Sequence, residues 1–174
     1  MKEEIRIAEI VEGLEFKKYD GTPIKDVHEY VKYWVEENPY GTVTIGCDSQ
    51  EHSRYIKYAV TIVMYYIDEF GLGHGGHVIS TSFQDHTKTM ESDIYTKLWA
   101  ETIVTVETAK LVGEIGFKPI IHLDYNSDET KYSNVLYAAG LGYCKGLGFE
   151  AYGKPHAYAA SHTADRIAKS GKKR

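Results

Sequence analysis

The sequence is poor in cysteine and has no long apolar run. Its two cysteines, Cys47 and Cys144, lie far apart and outside any CxxC spacing, so we expect two buried thiols rather than a disulfide or zinc framework. No segment approaches the roughly 20 apolar residues that span a bilayer, and residues 1–4 lack the charged-then-apolar pattern of a secretory signal. These absences predict a cytoplasmic protein that does not enter a membrane.

Positive charge is also scarce. The 20 Lys and Arg residues are outnumbered by 25 Asp and Glu residues, which gives a net charge of −5. This balance counts against nucleic-acid binding driven by the phosphate backbone alone. It does not count against an enzyme that meets phosphates through metal ions, because such a site must itself be acidic. The basic residues that do cluster are terminal: Arg166, Lys169, Lys172, Lys173 and Arg174.

The order of predicted elements indicates an α/β protein. Apolar residues at helical spacing predict a leading helix over residues 24–38, and runs rich in β-branched and aromatic residues predict the strands. A glycine-rich turn at residues 71–76 is expected to join the second and third strands. The remaining predictions are strands at residues 42–47, 54–68, 77–83, 119–124 and 149–152, and helices at residues 90–115, 130–140 and 157–169.

Three antiparallel strands followed by αβ alternation predict a mixed five-stranded sheet flanked by helices. With the leading helix set aside, this is the connectivity of the ribonuclease H fold. A chain of 174 residues is the size of one domain. We therefore expect a single ribonuclease H-like domain, with an N-terminal helical extension at residues 1–41, a core at residues 42–170 and a basic tail at residues 171–174.

Two aspartates end predicted strands. Asp48 follows the first strand and Asp124 closes the fourth; ligands of open α/β sheets gather beyond strand ends. If these strands are parallel neighbours, the two carboxylates share one space and repel each other unless a cation or a shared proton intervenes. Magnesium suits such a site, because it takes carboxylate oxygens and keeps waters for phosphates. The alternative is that each aspartate serves only as a cap or turn residue.

Helices supply further candidate acids. Glu101 and Glu107 lie six residues apart on the long helix, so they face different directions and one of them is expected near Asp48. Asp165 lies among small residues on the last predicted helix. Other acids, namely Asp85, Asp93, Asp128 and Glu129, lie in loops or at helix starts, where capping explains them.

Three motifs carry a family resemblance: Gly46-Cys47-Asp48-Ser49-Gln50, His122-Leu123-Asp124-Tyr125-Asn126 and residues 154–166, KPHAYAASHTADR. Together they resemble the YkuK-like family of predicted nucleases in the ribonuclease H superfamily. One departure is Cys47, where the family pattern tends to have Thr. Since Cys47 alternates away from Asp48 along a strand, we expect a packing change there and no lost chemistry.

The resemblance implies a catalytic and metal-binding set of Asp48, Glu101, Asp124 and Asp165. It implies two Mg²⁺ or Mn²⁺ ions roughly 3.5–4 Å apart, bridged by Asp48, that hydrolyse a phosphodiester bond of DNA or RNA to leave a 5′-phosphate. We expect substrate contacts from seven further residues: Ser49, Gln50, Asn126, Lys154, His162, Arg166 and Lys169.

Two histidine-containing segments have competing interpretations. His122 shares a strand face with Asp124, so it is either a partner of the metal site or a hydrogen-bonded core histidine. In the run Gly73-His74-Gly75-Gly76-His77, a hairpin turn is favoured over a zinc site, since no further ligands lie nearby.

Three functions remain open from the sequence. The first is a two-metal nuclease, which the four acids favour. The second is a nucleic-acid-binding or scaffold protein that lacks turnover, which the acidic charge balance favours. The third is a phosphohydrolase of small nucleotides, which needs no basic surface. The sequence leaves the oligomeric state open.

Overall fold

A computed structural model describes residues 2–87, 94–113, 117–127, 130 and 134–157. These residues form four α-helices and six β-strands, and from α2 to β6 their order matches the predicted alternation. The helices are α1 (Lys2–Glu12), α2 (Val27–Glu37), α3 (Ile94–Val112) and α4 (Asn134–Gly146). The strands are β1 (Lys17–Lys18), β2 (Thr42–His52), β3 (Tyr55–Ile67), β4 (Gly73–Asp85), β5 (Ile120–Asn126) and β6 (Ala151–Lys154).

The strands form one mixed sheet in the order β1-β4-β3-β2-β5-β6. β2, β3 and β4 are an antiparallel meander, whereas β5 pairs with β2 in parallel and β6 pairs with β5 in parallel. The predicted mixed sheet with flanking helices and a leading helix is therefore confirmed. The sixth strand is β1, a two-residue edge strand paired with β4, and it is too short to leave a pattern in the sequence.

The four described helices contact one side of the sheet, called the helix face below. From α3, Thr102 lies 2.5 Å from the hydroxyl group of Tyr125 in β5. From α2, the hydroxyl of Tyr30 lies 2.8 Å from Nε2 of His77 in β4. Because side chains alternate along a strand, Cys47 and Ser49 share this helix face, whereas Asp48 and Gln50 lie on the opposite face.

α1 was missing from the sequence predictions, which placed no element before residue 24. Its buried residues Ile7 and Val11 follow helical spacing, and Arg6 fastens the helix to the sheet through Asp85 at the end of β4. The two guanidinium nitrogens donate to the two carboxylate oxygens at 3.2 and 2.8 Å. Asp85 also accepts from the backbone N–H of Thr87 at 2.9 Å. The sequence predicted a capping residue in a loop or at a helix start, whereas Asp85 is the last residue of β4 and is buried against Arg6.

Several predicted boundaries were wrong because pairing and packing outweighed local sequence signals. β2 continues past Cys47 to His52, since its last residues pair with β3. The turn between β3 and β4 lies before Gly73, and the glycine–histidine run belongs to β4 itself. α4 runs through Gly140 and on to Gly146, where a break after Gly140 was expected.

Other predictions have mixed outcomes. Cys47 and Cys144 are free and buried, as expected. The predicted final helix at residues 157–169 lies outside the described residues except for Ala157, and the tail at residues 171–174 lies wholly outside them. Among the described helices, none has the length and apolar character needed to cross a membrane.

Gly140 offers a test of the packing of α4 against β5. A Cβ atom at this position would overlap Cε2 of Tyr125 and would lie 3.2 Å from Cδ1 of Leu123. Both side chains belong to a packed strand, so we expect Gly140→Ala to lower the free energy of unfolding by about 1–3 kcal/mol in urea denaturation.

The matched control is Gly142→Ala in the same helix, where a Cβ atom meets nothing within 4 Å. This change should raise stability by up to about 1 kcal/mol through helix propensity. Equal effects of the two substitutions would show that α4 does not pack on β5 in this way.

Candidate active site

The site forms where β2 and β5 stop pairing. The parallel ladder joins residues 44–46 to residues 120–122, and Asp48 and Asp124 each lie two residues further along their strands. Since partners in register share a face, both carboxylates lie on the side opposite the helices, and both are half-buried. The sequence suggested that Asp48 ends its strand. In the structure β2 continues past Asp48, which lies where β5 stops pairing with β2.

Glu101 reaches the site from α3 on the helix face. Its side chain is 4% exposed, and its Oε1 accepts a hydrogen bond of 2.5 Å from the hydroxyl of Ser49. Burial, together with the charges of Asp48 and Asp124, raises the pKa of Glu101 to about 8, while the Ser49 hydrogen bond opposes the shift. Asp48 and Asp124 are therefore both within electrostatic reach of Glu101.

The structure separates the two candidate acids of the long helix. Glu107 turns away and forms an ion pair of 2.7 Å with Lys110, whereas Glu101 contacts the site. Lys97, one turn before Glu101, is a neighbour that the sequence analysis missed. Its charge lowers the pKa of Glu101, and it forms an ion pair of 3.6 Å with Glu51 at the end of β2. The sequence signal that could have identified Lys97 is its position one helical turn from Glu101.

Lys154 contacts the site through Asp124. The ammonium group, at the end of β6, forms a close ion pair with the Asp124 carboxylate. Asn126 is paired with Lys154 in the β5–β6 ladder, and its carbonyl oxygen lies 3.4 Å from the side-chain amide of Asn134. Two of the predicted substrate-binding residues are thus gathered beside Asp124, and Gln50 follows Asp48 on the same face.

His122 and Tyr125 lie on opposite faces of β5. His122 is 3% exposed, and burial lowers its pKa to about 4, so the ring is neutral at physiological pH. On the other side, the hydroxyl of Tyr125 donates to the carbonyl oxygen of Leu98 at 2.9 Å. This bond ties β5 to the helix turn that precedes Glu101, and so it positions the strand acid relative to the helix acid.

Four predicted site residues cannot be placed: Asp165, His162, Arg166 and Lys169 lie outside the described residues. Within the described ranges, no three His, Cys, Asp or Glu side chains stand together as a ready-made metal-binding group. The donors nevertheless have the right chemistry for Mg²⁺ or Mn²⁺, since carboxylate oxygens are the hard ligands these ions take. A cation would also relieve the repulsion that raises the pKa of Glu101.

The sheet has three antiparallel strands followed by parallel strands, and carboxyl groups lie where β2 and β5 separate. This arrangement defines a ribonuclease H-like, nuclease-like fold. Comparison with protein families agrees, since the family model described as Ribonuclease H-like matches residues 23–169. The match covers most of the chain, which therefore belongs to this family, the YkuK family indicated by its motifs. Searches of curated proteins and of solved structures gave no match.

The raised pKa of Glu101 predicts a pH-dependent stability. Below about pH 4.5, the ordinary pKa of this carboxyl, it is protonated in both folded and unfolded chains. Between about 4.5 and about 8 the unfolded chain ionises while the folded chain keeps the proton, so stability should fall as pH rises through this window. Glu101→Gln should flatten this fall when urea denaturation is followed from pH 5 to 8.5 in EDTA.

The control for this experiment is Glu107→Gln, on the same helix but in the Lys110 ion pair. It should keep the wild-type dependence on pH. The assignment fails if Glu101→Gln and the wild type lose stability in parallel across the window.

Proposed function

We propose that this protein is a metal-dependent nuclease that hydrolyses phosphodiester bonds of nucleic acid by a two-metal-ion mechanism. The observation that supports it best is the gathering of three carboxyl groups: Glu101 is buried against Ser49, and the charges of Asp48 and Asp124, on two neighbouring strands, both reach it. Like charges gathered around a buried carboxyl group destabilise a folded protein unless they are compensated. Divalent cations bound among these carboxyl groups would compensate their charges.

In the proposed mechanism, Asp48, Glu101 and Asp124 would hold the ions, with Asp165 as the fourth acid. When bound, two such ions lower the pKa of a water molecule to make a nucleophile and stabilise the leaving oxygen. Glu101 must first lose its proton, because a carboxylic acid is a poor ligand. The hydroxyl of Ser49 orients the resulting carboxylate through its hydrogen bond.

Lys154 has two roles in this proposal. Without substrate, its ammonium group compensates the charge of Asp124. With substrate, the same group would turn from the carboxylate to a phosphate oxygen of the nucleic acid, since both are oxygen anions within reach of one flexible side chain. Gln50 and Asn126 would contact the substrate from the two strands that flank the site, as would His162, Arg166 and Lys169 from the C-terminal segment.

The Lys154–Asp124 ion pair also favours a second candidate, a nucleic-acid-binding protein of the same fold without turnover. A lysine that already compensates a strand acid reduces the need for a cation there. The two candidates differ in whether divalent ions bind and whether the nucleic acid is cut.

Cleavage of labelled single strands, duplexes and hybrids in Mg²⁺ or Mn²⁺ tests the nuclease proposal. Asp48→Asn keeps the shape of the side chain and removes its charge, so we expect at least roughly a 100-fold fall in rate, which corresponds to about 2.7 kcal/mol of transition-state stabilisation. Calorimetric titration should show weaker binding of the metal ion by the same variant.

Glu107→Gln removes an acid from the same helix and should retain full cleavage. Turnover that survives Asp48→Asn rules out the proposed mechanism. Metal-independent binding of nucleic acid with no cleavage by the wild type would instead establish the second candidate.

A further inference from the structure

Three strands of the sheet continue beyond the carboxylate site. β5 pairs with β2 only as far as Gly46, whereas β3 stays paired with β2 to His52, and β4 stays paired with β3 to Asp85. Asp48 therefore lies at the inner end of a three-stranded extension. From Asp48 to His52 the strand runs four residues, or about 13 Å, which is the length of about four stacked nucleotides at roughly 3.4 Å each.

The register arranges polar and aromatic side chains in two rows on the face of this extension that carries Asp48. In the first row, Gln50 is opposite Lys57 and Lys57 is opposite Gln84. In the second row, His52 is opposite Tyr55, and His86 follows β4 on the far side of Tyr55.

The second row is a ladder of rings. His52 and Tyr55 are stacked, with centroids 4.5 Å apart and planes at 20°. His86 lies against Tyr55 at 5.3 Å and 48°. His86 and Gln84 are exposed, so the ladder ends on a ring that solvent reaches. A nucleobase placed on His86 would extend this stack, and the neighbouring amide groups offer hydrogen bonds to base edges.

The charge of the protein favours unpaired bases over a duplex as the occupant. The chain has a net charge of −5, so attraction to the phosphate backbone contributes little, and a duplex presents mainly that backbone. Stacking of bases on aromatic side chains tolerates any sequence, because every base has a π-face, and it adds to whatever attraction the backbone supplies. It does require bases whose faces are exposed, as they are in a single strand.

We propose that this surface, called the stacking platform, binds unpaired bases of a single-stranded nucleic acid and leads the strand over Gln50 to Asp48. Only the last step, delivery to the acids, rests on the proposed nuclease function. The platform consists of six residues: Gln50, His52, Tyr55, Lys57, Gln84 and His86.

The test is fluorescence anisotropy with labelled 12-nucleotide oligomers of DNA and RNA in EDTA, where no metal-dependent cleavage occurs. The wild type should bind single strands at least tenfold more tightly than the matching duplex. Because His86 carries the exposed end of the ladder, His86→Ala should weaken single-strand binding by roughly fivefold to 100-fold. His86→Phe keeps an aromatic ring and should retain binding close to that of the wild type.

Phe70→Ala is the matched control, since Phe70 is an 80% exposed aromatic residue at the opposite end of β3 and β4; it should bind as the wild type does. Oligomers with abasic sites should bind as weakly as His86→Ala binds normal ones. The platform is refuted by absent single-strand binding, by equal affinity for duplex or abasic oligomers, or by wild-type affinity of His86→Ala.

These measurements are independent of catalysis. Single-strand binding that depends on His86, in a protein that cuts nothing, supports the platform and refutes the nuclease. Metal-dependent cleavage by a protein whose single-strand binding does not depend on His86 supports the nuclease and refutes the platform.

Discussion

Eleven residue pairs between β2 and β3 determine which side chains of β2 contact the helices and which face away. Cys47 and Ser49 lie on the helix face, where Ser49 reaches Glu101. Asp48 lies on the other face in register with Asp124. A slip of one residue would exchange these faces, bury Asp48 under α3 and separate Ser49 from Glu101. The long antiparallel pairing is therefore the constraint on which the site depends, because the parallel pairing with β5 covers only three residues.

A site built in this way places opposing demands on Glu101. Its burial stabilises the protonated form, while the proposed chemistry needs the carboxylate. Ser49 and Lys97 both favour the charged form, one by a hydrogen bond and the other by its charge. A carboxyl group with a pKa perturbed by burial and by neighbouring charges is common at functional sites.

The acidic charge balance and the proposed recognition of nucleic acid are compatible if the protein contacts bases more than phosphates. On the sheet face that carries Asp48, the carboxyl groups of Asp48 and Asp124 lie where β2 and β5 separate, whereas rings and amide groups occupy the extension beyond. Recognition by base stacking depends on exposed base faces, so it relies less on the basic surface that the sequence lacks. The acidic charge balance was the sequence feature that counted most strongly against a nucleic-acid substrate. The proposed platform would accommodate it by contacting bases instead of phosphates.

The sequence by itself determined the types of most elements and the mixed sheet, because these follow from local periodicity. It also determined Asp48 and Asp124 as candidate site residues, because both were predicted at strand ends. It missed α1, whose partner Asp85 is distant in the chain, and the continuation of β2, whose polar residues pair with β3. The family resemblance already favoured Glu101 over Glu107, but only the tertiary structure placed Glu101 against Ser49 and paired Lys154 with Asp124. Helix periodicity gives the angle between two side chains, but the docking of α3 on the sheet decides which of them points inward.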